Sequence, residues 1–325
     1  MLLAGQVKLK IIGVSLTVIV LVSLTISLAQ SSYREVESWT QAPFIPGNIE
    51  WEMARVTTNA AGDIIYGFRR FDPPILEFDT AGNIKKIWGE DMFVWPHGLY
   101  VDPDGFLWAT DATIGPGSGL ATNLPLAPLL PAKDLGRGHQ VFKFGSNGEV
   151  LLTLGKQGVA GDGRDTFNGP ADIVVGKNGD LFVADGHINS RVVKFTKDGK
   201  YIKEWGKKGS GPGEFDVPHA LALDSQGRLF VADRSNNRIQ IFNQEGQFLD
   251  QWKQFGSPSG IAIAPDDTMY VTDQGKETIS VGSAKDGKVT AVIDGIRAEG
   301  ITVDGNGNVY AGEVFARSLR KFVKN

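Results

Sequence analysis

Three side chains that could hold a metal ion recur at one place in a repeated stretch of the chain. His97, His219 and Glu299 each lie near the start of a run of alternating apolar residues that leads into a polar turn. The spacing from His219 to Ser259 and from Ser259 to Glu299 is 40 residues each time. Two imidazoles and a carboxylate suit zinc, Fe(II) or Mn(II) and leave a coordination position open. The pattern therefore predicts a divalent metal centre, provided that the fold brings these residues together.

The repeat itself predicts the fold. Six copies of a strand, turn and strand pattern run through residues 53–68, 95–111, 169–185, 215–234, 257–273 and 297–313. The clearest copies continue with two further short strands, in 191–205 and 238–252. A period near 40 residues with four short strands per unit is typical of propeller blades. We therefore expect an all-β fold over residues 33–325, a six-bladed β-propeller with four-stranded blades.

The two chain ends are expected to share the last blade. The sixth copy has only three strands before the chain stops at Asn325. The segment 33–39 has the outer-strand pattern of 201–205, including the terminal Trp. We therefore predict that this N-terminal strand pairs with 318–322 and covers an edge that would otherwise be exposed.

Residues 1–29 have the features of a signal peptide or an N-terminal membrane anchor. Lys8 and Lys10 precede an apolar run over 11–29, which ends in Ser-Leu-Ala, with small residues at positions 27 and 29. Such a run favours export with cleavage, but its length is also close to the roughly 20 residues that span a bilayer. In either case we expect the propeller to be periplasmic or extracellular, with the membrane involved only through this segment.

The composition of the chain restricts the classes of partner that we expect it to bind. The formal net charge is −4, with 33 basic and 37 acidic residues scattered along the chain, so no nucleic-acid partner is indicated. The chain has no cysteine, so its stability must come from sheet packing and ring closure rather than from disulfides. We expect a monomer that acts on a small anionic or peptide substrate.

A sixfold ring would bring the candidate ligands together. The residues at the start of the first strands of blades one to six are Ala54, His97, Ala171, His219, Ser259 and Glu299. The metal-capable side chains fall in every second blade, about 120° apart around one axis. The alternative is that the histidines bond only to channel backbone or water.

Residues at the end of the second strand should lie on the same face. Arg69 and Arg234 are suited to a carboxylate, because the guanidinium fork matches it. His187 titrates near neutral pH and could act as a base. The alternatives are that the arginines join neighbouring blade tips and that His187 is an ordinary surface residue.

Several segments resemble the NHL-repeat propellers, and within them the peptidyl-α-hydroxyglycine α-amidating lyase family. The most specific are 96–99 (PHGL), 139–143 (HQVFK), 185–191 (DGHINSR), 217–223 (VPHALAL) and 231–234 (VADR). The resemblance implies a zinc ion held by three histidines, two of which match His97 and His219. It also implies two substrate-handling arginines, which match Arg69 and Arg234.

The chain departs from that family at three positions. The third histidine is matched by Glu299, the tyrosine regarded as the base is matched by His187, and a calcium-binding aspartate is matched by Gly300. Glu299 can still be a ligand and His187 can still accept a proton. The expected function is therefore a metal-dependent lyase that splits a hydroxyglycine C–N bond into an amide and glyoxylate, with zinc as the expected metal. The alternatives are another metal-dependent propeller enzyme, of the lactonase or streptogramin-lyase type, and a non-catalytic binding scaffold.

Overall fold

Six four-stranded antiparallel sheets form a ring in the computed structural model of the chain, which describes residues 32–40, 51–112 and 136–325. The first strands of neighbouring blades contact each other in cyclic order, and the first strand of blade six contacts that of blade one. The predicted all-β, six-bladed propeller is confirmed.

Each blade runs outward from its first strand, next to the central channel, to its fourth. The strands of blades one to three are β2 (Met53–Thr58), β3 (Ile65–Arg69), β4 (Ile75–Phe78), β5 (Ile84–Trp88), β6 (Pro96–Val101), β7 (Leu107–Asp111), β8 (Gln140–Phe144), β9 (Val150–Leu154), β10 (Pro170–Val175), β11 (Leu181–Asp185), β12 (Arg191–Phe195) and β13 (Tyr201–Trp205). Those of blades four to six are β14 (Pro218–Leu223), β15 (Leu229–Asp233), β16 (Arg238–Phe242), β17 (Phe248–Trp252), β18 (Pro258–Ile263), β19 (Thr268–Asp273), β20 (Thr278–Ser283), β21 (Val289–Asp294), β22 (Gly300–Val303), β23 (Val309–Glu313), β24 (Ser318–Lys324) and the N-terminal β1 (Tyr33–Glu35). A short 3₁₀ turn, Arg234–Asn236, follows β15.

In blade four, an aspartate and a glycine of the repeat form the turn between the first two strands. Asp224 Oδ1 accepts hydrogen bonds from the backbone N–H groups of Gln226 and Arg228, at 3.0 and 2.8 Å. Gly227 has φ +78°, a conformation that side-chain-bearing residues rarely adopt. The aspartate and the glycine together reverse the chain, so that β14 and β15 pair as an antiparallel hairpin.

A carboxylate at the end of the second strand fixes the segment that leads into its own blade. Asp111 accepts the N–H groups of Val94 (2.9 Å) and Trp95 (2.7 Å). Equivalent bonds join Asp185 to Asn168, Asp233 to Asp216, Asp273 to Ser257 and Glu313 to Arg297. Because the donors lie two or three residues before the channel-facing positions, these bonds position the side chains that point toward the axis.

The ring closes through the N-terminal strand, as the sequence predicts. Tyr33 pairs with Lys324 and Glu35 with Phe322, so β1 is the outer strand of blade six. The strand is shorter than expected, because pairing ends at Glu35, although Val36 still donates its N–H to Lys321 O. Trp39 then packs among aromatic side chains of blades one and six.

Deleting residues 33–39 should destabilise the whole ring. The deletion removes two nearly buried aromatic side chains, Tyr33 and Trp39, each worth about 1.5–3 kcal/mol of burial. It also removes the ion pair between Glu35 and Arg320 (2.6 Å). We expect one cooperative melting transition, lowered by roughly 10 °C. An Arg34→Ala variant, altered at an exposed position of the same strand, is the control. An unchanged melting temperature after the deletion would show that this segment is a loose tail.

No helix within residues 32–40, 51–112 and 136–325 has the length and apolar character needed to cross a membrane. The predicted signal or anchor at 1–29 lies outside the described residues.

Candidate metal centre

The channel-facing histidines lie at irregularities in the first strands. The register of β6 against β7 shifts between Pro96 and Leu99, and that of β14 against β15 shifts between Pro218 and Ala220. Such a bulge inserts an unpaired residue and redirects its side chain. His97 and His219 occupy these bulges and are fully buried. The local irregularity therefore turns both imidazoles toward the channel.

A hydrogen bond to the next blade sets the tautomer of each histidine. His97 Nδ1 lies 2.7 Å from Ala171 O, and His219 Nδ1 lies 2.7 Å from Ser259 O. Because a carbonyl oxygen can only accept, both Nδ1 atoms carry the hydrogen, and in the neutral ring Nε2 keeps its lone pair. A backbone carbonyl that fixes Nδ1–H is a common support for a metal-binding histidine.

The Nε2 atoms of both histidines lie close to one carboxylate. Glu299 Oε1 lies 3.1 Å from His219 Nε2 and 3.5 Å from His97 Nε2. Its other oxygen accepts a hydrogen bond from the side-chain amide of Gln274. The sequence prediction places these three side chains on one axis, and the structure brings them together there.

Burial decides the charge state of this cluster. It lowers the pKa of His97 to about 4 and that of His219 to about 3, so both rings are neutral at neutral pH. For Glu299, burial raises the pKa, but nearby positive charge holds it well below its usual value, and with both rings neutral that charge is the guanidinium of Arg234. An ionised carboxylate and two imidazole Nε2 atoms therefore face one another, an arrangement that positive charge stabilises, and Arg234 supplies part of that charge.

The donor set fits a zinc ion. Ligand atoms of a tetrahedral zinc lie roughly 3.3 Å apart, close to the two separations between Glu299 and the histidines. His97 Nε2 is buried and has no hydrogen-bond partner among the described residues, so its lone pair is available to an ion.

His187 approaches the same point from blade three. Its ring lies edge-on to those of His97 and His219, with centroids 4.3 and 5.2 Å away. The possible ligand atoms of the three histidines lie within 4.8 Å of one another. Both ring nitrogens of His187 are buried, and neither has a hydrogen-bond partner among the described residues. Burial is the main cause that holds its pKa well below 6.5, and the guanidinium of Arg234 adds to the effect, so His187 does not titrate near neutral pH as its residue type alone suggests. His187 can therefore act as a ligand or as a neutral proton acceptor.

Gly169 makes room for His187. It has φ +79°, and a Cβ at this position would lie 2.7 Å from Cβ of His187. The backbone N–H of His187 donates to Gly169 O at 3.0 Å. The close approach therefore requires a glycine and fixes the backbone that carries the imidazole.

Two arginines border the cluster. Arg234 Nη1 donates to His219 Nε2 (2.8 Å) and lies 3.5 Å from Glu299 Oε1. Arg70 lies over the Trp95 ring at 4.3 Å, and its Nε is buried with no hydrogen-bond partner among the described residues. Burial lowers the pKa of Arg70, whereas the carboxylate of Glu299 is the main charge that raises it. The site thus combines two guanidiniums with one carboxylate and neutral imidazoles, which favours an anionic ligand.

Strand register explains why sequence reasoning named Arg69 and missed Arg70. Arg69 pairs with Met53 just as Asp233 pairs with Pro218, so Arg70 is the counterpart of Arg234. Arg69 occupies the position that holds a carboxylate in the other blades. Its Nε donates to Pro73 O (2.9 Å), and its guanidinium lies over the Phe71 ring.

Gln274 was also missed. It follows Asp273, which pairs with Pro258, and therefore occupies the position of Arg234 in blade five. Aligning the second strands on their final acid would have found Gln274, whereas blade one has no acid at that position, so Arg70 emerged only from the strand register. The remaining histidine, His139, accepts the backbone N–H of Gly169 at Nδ1 (3.3 Å) and so supports this segment.

Comparisons with known proteins support the repeat assignment. Residues 215–242 match the NHL repeat, and residues 169–227 match a family described as 6-bladed beta-propeller. NHL repeat-containing protein 3 of Homo sapiens is 30% identical over 292 residues, covering 82% of this chain and 78% of that protein.

Other relatives carry enzyme names. Peptidyl-alpha-hydroxyglycine alpha-amidating lyase 1 of Drosophila melanogaster is 35% identical over 192 residues, covering 55% of this chain and 31% of that protein. Peptidyl-glycine alpha-amidating monooxygenase B of Xenopus laevis is 34% identical over 266 residues, covering 75% of this chain. This chain spans only 28% of that relative's length. A streptogramin B lyase structure shares the fold, with a TM-score of 0.54, 16% identity and coverage of 83% of this chain and 78% of that one.

Proposed function

Because the chain belongs to the NHL-repeat family of six-bladed propellers, we propose that it is an exported, zinc-dependent lyase. The proposed substrate is a peptidyl-α-hydroxyglycine, cleaved to a peptide amide and glyoxylate. Similarity to proteins named as amidating lyases supports this reaction class. The observation that carries the proposal is the convergence of two neutral imidazole lone pairs on the ionised carboxylate of Glu299.

His97, His219 and Glu299 would hold the ion, because Glu299 Oε1 lies 3.5 and 3.1 Å from the Nε2 atoms of His97 and His219, close to the separation of two ligands of one ion. Zinc bound there would supply Lewis acidity that makes a substrate hydroxyl more acidic. The Nδ1–H bonds to Ala171 O and Ser259 O keep both imidazoles in the orientation that points Nε2 at the ion.

His187 is the proposed proton carrier. The carbinol hydroxyl must lose a proton as its carbon becomes the aldehyde of glyoxylate, and the amide nitrogen must gain one as the C–N bond breaks. No oxidant is needed, since the electron pair of the broken bond stays on nitrogen. His187 is neutral, is bordered by the two other rings and has unpartnered ring nitrogens. It can therefore accept the first proton and return it to the nitrogen.

The guanidiniums of Arg70 and Arg234 would bind the substrate carboxylate. They occupy corresponding positions in blades one and four; Arg234 lies 3.5 Å from Glu299 Oε1, and the charge of Arg70 also interacts with Glu299. Arg234 bonds to His219 Nε2 when that lone pair is available. If His219 Nε2 binds a metal ion instead, the guanidinium of Arg234 can bind an anion. The carboxylate would thus be bound in the region where the site concentrates positive charge.

The reaction can be tested with purified protein and an N-acyl-α-hydroxyglycine. We expect one zinc per chain by elemental analysis and stoichiometric release of glyoxylate and amide. The same compound with its carboxylate converted to an amide is the control, and it should react much more slowly. Protein that binds zinc but releases no glyoxylate would belong to another class of metal-dependent propeller enzyme. Protein without stoichiometric metal would instead be a binding platform.

A further inference from the structure

A buried ion pair crosses the channel beside the histidine cluster. Arg55 Nη2 in β2 lies 2.7 Å from Asp172 Oδ2 in β10, and both residues are nearly inaccessible to solvent. The same carboxylate oxygen accepts the backbone N–H of Leu221 in β14, at 3.0 Å. Blades one, three and four are therefore joined across the axis by one guanidinium and one carboxylate.

The ion pair also borders a cavity in the channel. The cavity has a volume of about 320 Å³ and is lined by the first strands of all six blades, with Arg55 and Asp172 among the lining residues. Its other lining residues, such as Asn59 and Leu223, lie toward the far ends of these strands, whereas His97 and His219 lie at their beginnings. The ion pair thus lies between the cavity and the candidate metal centre.

A second metal ion does not fit this part of the channel. The family resemblance implies a calcium-binding aspartate at the position of Gly300. A Cβ at Gly300 would lie 2.7 Å from Arg55 Cα and 2.8 Å from both Arg55 Cδ and Ala54 O. No side chain can be added there without displacing backbone, and the side chain of Arg55 passes directly over the position. The carboxylate that would attract calcium is missing, and a fixed positive charge stands beside it.

We propose that the guanidinium of Arg55 is the structural cation of the channel, so that the propeller needs no calcium ion. Asp172 supplies the balancing charge from blade three. Burial raises the pKa of Asp172, and the positive charge of Arg55 is the main cause that lowers it. Without Arg55, that carboxyl must either take up a proton or bind another cation. This inference does not depend on the proposed lyase reaction.

Calcium content and thermal stability test the proposal. After gel filtration in calcium-containing buffer, elemental analysis that separates calcium from zinc should find no stoichiometric calcium. Added calcium should leave the melting temperature unchanged. An Arg55→Ala variant leaves the buried carboxylate unpaired and should melt roughly 10 °C lower. Calcium should restore part of that loss, because the cavity gives the ion access to Asp172.

Two further variants distinguish a specific response to calcium from the destabilisation that the loss of any buried ion pair would cause. Arg55→Ala with Asp172→Asn should recover stability and lose the response to calcium. Arg238→Ala breaks the buried pair with Asp233 (2.7 Å) away from the cavity lining, and it should be destabilised without any calcium response. One calcium per unaltered chain would overturn the proposal, even if no variant folds. An Arg55→Ala protein that is indifferent to calcium would also overturn it, because Arg55 would then be only an ordinary ion-pair partner.

Discussion

A His219→Ala variant should purify without stoichiometric zinc and without lyase activity, while remaining folded. The change removes one of two neutral imidazoles whose Nε2 lone pairs face Glu299, and it leaves Arg234 beside an unoccupied space. Loss of a supporting residue alone typically costs 10–100-fold in metal affinity. We therefore expect loss of a ligand to weaken zinc binding by more than ~100-fold. Zinc titration of protein stripped with a chelator measures the effect, and circular dichroism checks the fold.

Matched variants at His187 and Glu299 then identify the third ligand. His187→Phe keeps a ring against His97 and His219, so it should retain zinc while turnover falls by roughly 10²–10⁴-fold through loss of the proton carrier. Glu299→Gln keeps the size of the side chain and should weaken zinc binding. The reverse outcome, with zinc lost in His187→Phe and kept in Glu299→Gln, would assign the ion to the three histidines.

Replacing Arg70 with alanine should lower kcat/KM for an N-acyl-α-hydroxyglycine by about 10- to 100-fold with zinc content unchanged. A hydrogen bond to a charged partner contributes about 1.5–3 kcal/mol, which corresponds to that range. The loss should be much smaller for a substrate whose carboxylate is amidated, because that substrate offers no negative charge to bind. Steady-state kinetics with the acid and amide pair measures the difference.

Arg69→Ala is the matched comparison for Arg70. The two residues are adjacent, but Arg69 bonds to Pro73 O and lies over Phe71, so its loss should mainly lower the melting temperature. A variant at Arg69 that discriminates strongly between the acid and the amide would restore the assignment suggested by the family resemblance. Equal discrimination by both variants would mean that the guanidiniums act as a pair.

The register of blade one shows the limit of reasoning from residue spacing. The alternation of apolar residues locates β3 correctly, but it does not specify which residue follows the last paired position. A shift of one residue in a strand moves a side chain to the opposite face. That single step separates Arg69, which was predicted to meet the substrate, from Arg70, whose charge interacts with that of Glu299 in the structure.

The order of residues along the chain determined the all-β propeller, the closing strand that begins at Tyr33 and the three positions that share the axis. These follow from a period near 40 residues, because each repeat must bury the same faces. The sequence also placed His187 on the face of the candidate ligands. Only the tertiary structure decided that its ring lies against those of His97 and His219, that Arg70 rather than Arg69 interacts with Glu299 and that Arg55 reaches Asp172. Those contacts join different blades and depend on strand bulges and register, which local sequence patterns do not specify.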